Sequence, residues 1–144
     1  MIDVVVTRRI AASPATIFSF FMDADRWTSW QGVGGEIDPR PGGAFRIRMA
    51  GAQVASGRFV EVVPNRRIVF TWGWEGEASP VPPGSTTVVI ELEPNETGTT
   101  LTLTHRALEP PPVAEHHRQG WEQYLGRLAI RAEGGDPGPD IPLQ

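Results

Sequence analysis

Val113, His117, Trp121, Leu125, Leu128 and Ala132 recur at intervals of three and four, the spacing that lines up side chains on one face of an α-helix. Upstream, from residue 2 to residue 106, the dominant pattern is the two-residue alternation of β-strands separated by short turns. One long amphipathic helix after consecutive strands predicts an α+β fold. In it a curved antiparallel sheet wraps around the C-terminal helix. The space between sheet and helix is then either packed core or a ligand pocket, and that alternative is the functional question for this chain.

The local reading fills in the rest. Residues 2–11 are rich in β-branched side chains and predict a first strand. Ser13-Pro14 supplies an N-cap and a proline at the first helical position, opening a helix to about Met22. Ile17, Phe18, Phe20, Phe21 and Met22 leave that helix almost no polar face. Residues 23–30 read as a second short helix or turn, with Trp27 and Trp30 on one side. The Gly/Pro-rich stretch 32–43 holds at most a short strand near Glu36–Asp38.

Strands are then expected over 45–49, 53–63, 67–74, 86–93 and 99–106, giving a sheet of six to seven strands. Residues 75–85 form a long Pro/Gly loop, 94–98 a turn, and Glu109–Pro112 stops the sheet before a helix over 113–133. The whole of 1–133 reads as a single domain, and 134–144, rich in Gly and Pro, as a flexible tail.

Composition excludes several chemistries. All 13 basic residues are Arg, and Lys and Cys are absent. That removes a thiolate nucleophile, a disulfide framework, a Cys-bound zinc, a Schiff-base lysine and a phosphate-loop lysine. A net charge of -4 argues against a nucleic-acid surface, which needs clustered positive charge. The N-terminal residues lack the features of a signal peptide, and no apolar run approaches the roughly 18 residues that span a bilayer. The expectation is a cytoplasmic protein, monomeric or homodimeric, with no membrane partner. No serine-nucleophile elbow, dinucleotide fingerprint, His-Glu-x-x-His or phosphate loop is present, so neither a cofactor nor a metal is expected.

The order and spacing of several short segments resemble the START-like (SRPBCC) helix-grip superfamily. Within it they are similar to bacterial relatives of the activator of heat-shock-protein-90 ATPase. The segments are Ile10-Ala-x-x-Pro14-x-x-Ile17-Phe18, Trp27-x-x-Trp30 and Asp38-x-Arg40-Pro41-Gly42-Gly43. They continue with Gly57-x-x-x-Glu61-x-x-Pro64, Ile68-x-x-Thr71-Trp72, Gly98-x-Thr100-Leu101-x-Leu103-x-His105 and Gly120-Trp121-x-x-x-Leu125-x-x-Leu128. The resemblance covers residues 2–132. It implies a deep cavity under the C-terminal helix. It does not imply one function, so function must be argued from the site.

The residues expected to face that cavity are Trp27, Trp30, Phe45, Ile47, Met49, Phe70, Trp72, Trp74, Ile90, Leu103, His105, Trp121 and Leu125. Core packing is the competing role for each, since aromatic side chains bury large areas. Gly120, Gly126 and Ala129 on the final helix leave gaps that favour a cavity. His105 ends an inward-facing strand pattern and is a candidate proton donor or acceptor. Glu61 is a weaker catalytic candidate, because the apolar Val60, Val62 and Val63 leave its face ambiguous. His116 and His117, adjacent on a helix, point about 100° apart and cannot share one metal ion. Arg46, Arg48 and Arg58 read as a solvent-facing stripe.

Three functions follow in order. The first is binding of a small hydrophobic or aromatic molecule. The second is a cyclase-, dehydratase- or hydrolase-like enzyme using a pocket His, Glu or Arg. The third is a chaperone cofactor or protein-interaction module.

Overall fold

The computed structural model describes residues 2–77 and 79–141. The chain runs β1 (Ile2–Ile10), α1 (Pro14–Ser19), α2 (Ala24–Trp27), β2 (Gly34–Ile37), β3 (Ala44–Arg48), β4 (Val54–Val63), β5 (Arg67–Trp74), β6 (Thr86–Asn95), β7 (Gly98–Leu108) and α3 (Pro111–Ala132). All seven strands join one antiparallel sheet in the order β1-β7-β6-β5-β4-β3-β2. The helix-grip fold expected from the sequence is the fold observed.

Short local causes set each element. Ser13 accepts a hydrogen bond from Thr16 N and caps α1, with Pro14 in the first turn. Asp23 caps α2 through Asp25 N. Helix α3 starts two residues before the expected Val113. Pro111 and Pro112 occupy first-turn positions whose N–H groups would have no intrahelical partner in any case. Pro94 belongs to β6, and the β6–β7 turn is tighter than expected, closing from Asn95 to Gly98. Gly98 has φ +153, and a Cβ there would lie 2.3 Å from Ile10 O, so only glycine fits.

Helix α3 buries Ala114, His117, Trp121, Leu125, Leu128 and Ala129, the face its periodicity marks. The interior it covers is filled from the other end. Trp27, with no exposed surface, places its ring 5.2–6.4 Å from those of Phe21, Trp30, Phe45, Phe59 and Phe70. Its indole N–H is held by Gln31 Oε1 at 2.9 Å, and that of Trp30 by Phe20 O at 3.2 Å. The two tryptophans of α2 and the turn after it therefore plug the grip.

Residues 134–141, expected to hang loose, lie against the domain. The Arg127 guanidinium donates to the carbonyls of Pro137, Gly138 and Pro139, as well as to Trp30 O. Asp140 Oδ2 accepts from Gly32 N, Ala50 N and the Tyr124 hydroxyl. One Arg and one Asp tie down a segment whose Gly/Pro composition gives no sign of it. Residues 142–144 of the expected tail lie outside the described residues.

Two stability measurements check this packing. Trp27→Ala should cost about 3–5 kcal/mol in denaturant unfolding, the range for a fully packed large side chain. Truncation after Gly135 should cost about 1–3 kcal/mol, because the partly buried Arg127 and Tyr124 lose hydrogen-bond partners. No change on truncation would mean the tail contacts carry no stability.

Candidate functional site

What remains open inside the grip is a small cleft beside this aromatic plug. It has a volume of about 60 Å³ and is lined by Gln31, Met49, Ala50, Gln53, Trp72, Trp74, His116, His117, Gly120, Trp121 and Tyr124. The Trp72 ring lies close to two others, 5.4 Å from Trp74 and 5.0 Å from Trp121 between ring centroids. Gly120 is where α3 presents no side chain, which is the gap expected from the sequence.

Of the thirteen residues expected to face a ligand, Met49, Trp72, Trp74 and Trp121 do line the cleft. Trp27, Trp30, Phe45 and Phe70 belong instead to the aromatic plug, and Ile47, Ile90, Leu103 and Leu125 are fully buried packing. The deep cavity expected under α3 is thus reduced to one end. Gln31, Ala50, Gln53, His116, His117 and Tyr124 were not foreseen as lining residues. Tyr124 and His117 sit seven residues apart on α3, two turns on one face, and that spacing marks them as neighbours. Gln31 and Gln53 carry no comparable signal.

His105 lies just behind the cleft wall with no exposed surface, and both of its ring nitrogens are engaged. Trp121 Nε1 donates to His105 Nδ1 at 2.9 Å. His105 Nε2 lies 2.8 Å from Thr86 Oγ1, which itself donates to Trp72 O at 2.8 Å. A hydroxyl that spends its proton on a carbonyl must accept from the imidazole, so His105 is the neutral Nε2–H tautomer. Next to it, with ring centroids 5.2 Å apart, His117 has the opposite arrangement. Trp74 Nε1 donates to His117 Nε2 at 2.9 Å, and His117 Nδ1 is 2.8 Å from Val113 O. His117 is the neutral Nδ1–H tautomer.

Burial, reinforced by the neighbouring His117, pushes the His105 pKa down to about 3. Burial also holds His117 below the usual histidine range, against the opposing pull of its bond to Val113 O. A histidine with both nitrogens committed and its protonation suppressed near neutrality is a poor general acid or base. The expected catalytic candidate, His105, thus lies behind the cleft wall with both ring nitrogens hydrogen-bonded.

Glu61 is elsewhere. A β-bulge in β4 sets Val60 and Glu61 against a single partner residue, which turns Glu61 outward and Val62 toward the core. Glu61 sits half-exposed beside Arg67 at 3.3 Å, and Arg67 also meets Glu91 at 2.9 Å. Arg46, Arg48 and Arg58 do form an outer stripe. Arg46 pairs with Glu75 and Arg48 with Glu36, while Arg58 donates to Gly42 O.

Three further features complete the site. The Trp72 indole N–H is buried with no hydrogen-bond partner among the described residues. The Tyr124 phenol is held above its ordinary pKa, first by burial and then by Asp140, so it remains a donor. Among the described residues, no three His, Asp or Glu side chains converge as metal ligands. No helix there is long and apolar enough to cross a membrane.

The model of one family, the Activator of Hsp90 ATPase homolog 1-like proteins, matches residues 11–133. The chain belongs to that family. An AHSA1-like protein from Rhizobium etli, whose solution structure is known, is 39% identical, with 99% of this chain and 89% of that one covered at a TM-score of 0.77. The Aha1 dimer of Colwellia psychrerythraea is 22% identical over 96% of this chain and all of the other, with a TM-score of 0.77. DynU16, a protein of the dynemicin biosynthetic locus, is 24% identical over 94% of this chain and 48% of the other, with a TM-score of 0.81. The last two establish the fold alone. No curated protein matches the sequence.

The neutral histidines have a consequence in pH. Below about pH 6.5 the unfolded chain protonates its imidazoles while folded His105 stays neutral down to about 3, so stability falls as pH falls through that window. His105 alone contributes about 1.4 kcal/mol per pH unit there. His105→Gln should lower stability at pH 7.5 by about 1–3 kcal/mol through lost hydrogen bonds, yet decline less steeply between pH 6.5 and 4. Parallel pH profiles of wild type and variant in chemical melts would refute the assignment.

Proposed function

We propose that this protein binds a small apolar or aromatic molecule at the cleft between β5 and α3. The observation that carries this reading is the unpartnered Trp72 indole N–H in a wall that also holds the rings of Trp74, Trp121 and Tyr124. A buried donor left unsatisfied costs about 1–3 kcal/mol, and a ligand acceptor such as a carbonyl or ether oxygen would relieve it. An apolar concavity with few polar groups is the usual form of a small-molecule site. That a protein of a biosynthetic locus shares the fold fits the same reading. Of the residues named for an enzymatic role, His105 has both ring nitrogens hydrogen-bonded and Glu61 faces outward, which favours binding over catalysis. The chaperone-cofactor reading rests on the family name. A homodimer would follow the Colwellia relative.

Titration with 1-N-phenylnaphthylamine, a neutral probe that fluoresces in apolar sites, tests the proposal. Saturable binding should quench tryptophan emission through Trp72, Trp74 and Trp121. It should also raise the melting temperature, by about 2.7 kcal/mol of stabilisation at a hundredfold excess over Kd. Absence of both effects, in the protein and also in variants that remove the Trp74–His117 hydrogen bond, would mean that the interior is solid core and the binding function fails.

A further inference from the structure

The cleft of about 60 Å³ is small for the ligand class just proposed: empty cavities that hold benzene measure about 150 Å³. A second pocket, of about 380 Å³, lies immediately outside it under the 79–81 segment and the start of α3. The two share Gln53, Trp74, His116 and His117 as a common wall. That wall is closed by one hydrogen bond, from Trp74 Nε1 to His117 Nε2.

We propose that Trp74 and His117 form a gate between an inner and an outer subsite. Opening it joins the two spaces into one chamber of the 300–1,000 Å³ typical of small-molecule sites. The inference rests on the binding function proposed above and adds its size limit and route. With the gate shut, the inner cleft excludes any aromatic molecule. With it open, the chamber takes a ligand of two or three rings, lying between Trp72 and Trp121 inside and Val81 and Val113 outside.

The geometry suits a moving part at Trp74 more than elsewhere. Trp72 and Trp121 are buried, and the Trp121 N–H is committed to His105. Trp74 is the last residue of β5 and only half-buried. Its backbone is held, with Trp74 N donating to Val81 O at 2.7 Å. Gly73 brings the chain so close under Pro82 that a Cβ would come within 2.0 Å of its carbonyl oxygen. The main chain is therefore fixed and only the indole is free to turn. On the other side His117 is fixed by its own bond to Val113 O, so the latch fails at the Trp74–His117 bond first.

Stopped-flow association of 1-N-phenylnaphthylamine with the intact protein and with Trp74→Phe, His117→Leu and the double variant tests the gate. Trp74→Phe keeps an aromatic ring and removes the donor; His117→Leu removes the acceptor. Each single variant should raise the association rate constant by about two- to tenfold, the factor that goes with losing one neutral hydrogen bond. The double variant should be no faster than the singles, because both remove the same latch. Should one single variant fail to give a cooperative melt, the other carries the comparison. Rates unchanged while the probe still binds would overturn the gate and leave the binding function standing. A probe that binds neither wild type nor variants would overturn both. Binding by the variants alone would support a gate that is shut in the wild type.

Discussion

Trp27 is the contact on which the rest of the interior depends. It comes from a helix of four residues, too short to persist alone. Its ring touches residues of the turn after α1 and of β3, β4 and β5 at once. By filling one half of the space between sheet and α3, it decides that this half is core. The other half, where Gly120 supplies no side chain, is left to become a site. A fold built to grip a helix has in this protein a divided interior, dry packing at one end and a polar-edged cleft at the other.

The boundary between the halves is held by nitrogen chemistry rather than by bulk. Three tryptophan N–H groups, those of Trp72, Trp74 and Trp121, meet two imidazoles, and the donors exceed the acceptors by one. Trp121 takes His105, Trp74 takes His117, and Trp72 is left over. Packing this many indoles around a cleft brings apolar surface and hydrogen-bond demand together. On the proposed binding function, the surplus donor would give the site a direction in which to recognise a ligand.

How much of this was legible in the sequence differs by level. The α3 stripe, the strand alternation and the capping residue Ser13 obey local rules, so sheet and helices were readable. Two features overrode local rules. The bulge at Val60–Glu61 inverts the face of β4 after Phe59, and a run of valines on both sides hides it. The docking of 136–140 depends on Arg127 and Asp140 meeting partners far away in sequence, while the segment itself reads as loose. The site was half legible. Inward-facing aromatics were identifiable, but which of them pack and which line a void depends on how far the α2 turn reaches into the grip. No periodicity encodes that distance.

The opposite tautomers of His105 and His117 carry a further consequence. Each ring has one protonated and one bare nitrogen, and the hydrogen-bonding order is reversed between the two. Two-bond nitrogen–proton correlations distinguish these forms, so the pair would appear in an NMR spectrum as two unlike imidazoles beside that of His116. His117 stands at the cleft surface and His105 behind it. The first would register an occupant directly, and the second only if the wall itself moved. The protein thus contains two native reporters, one for presence and one for displacement.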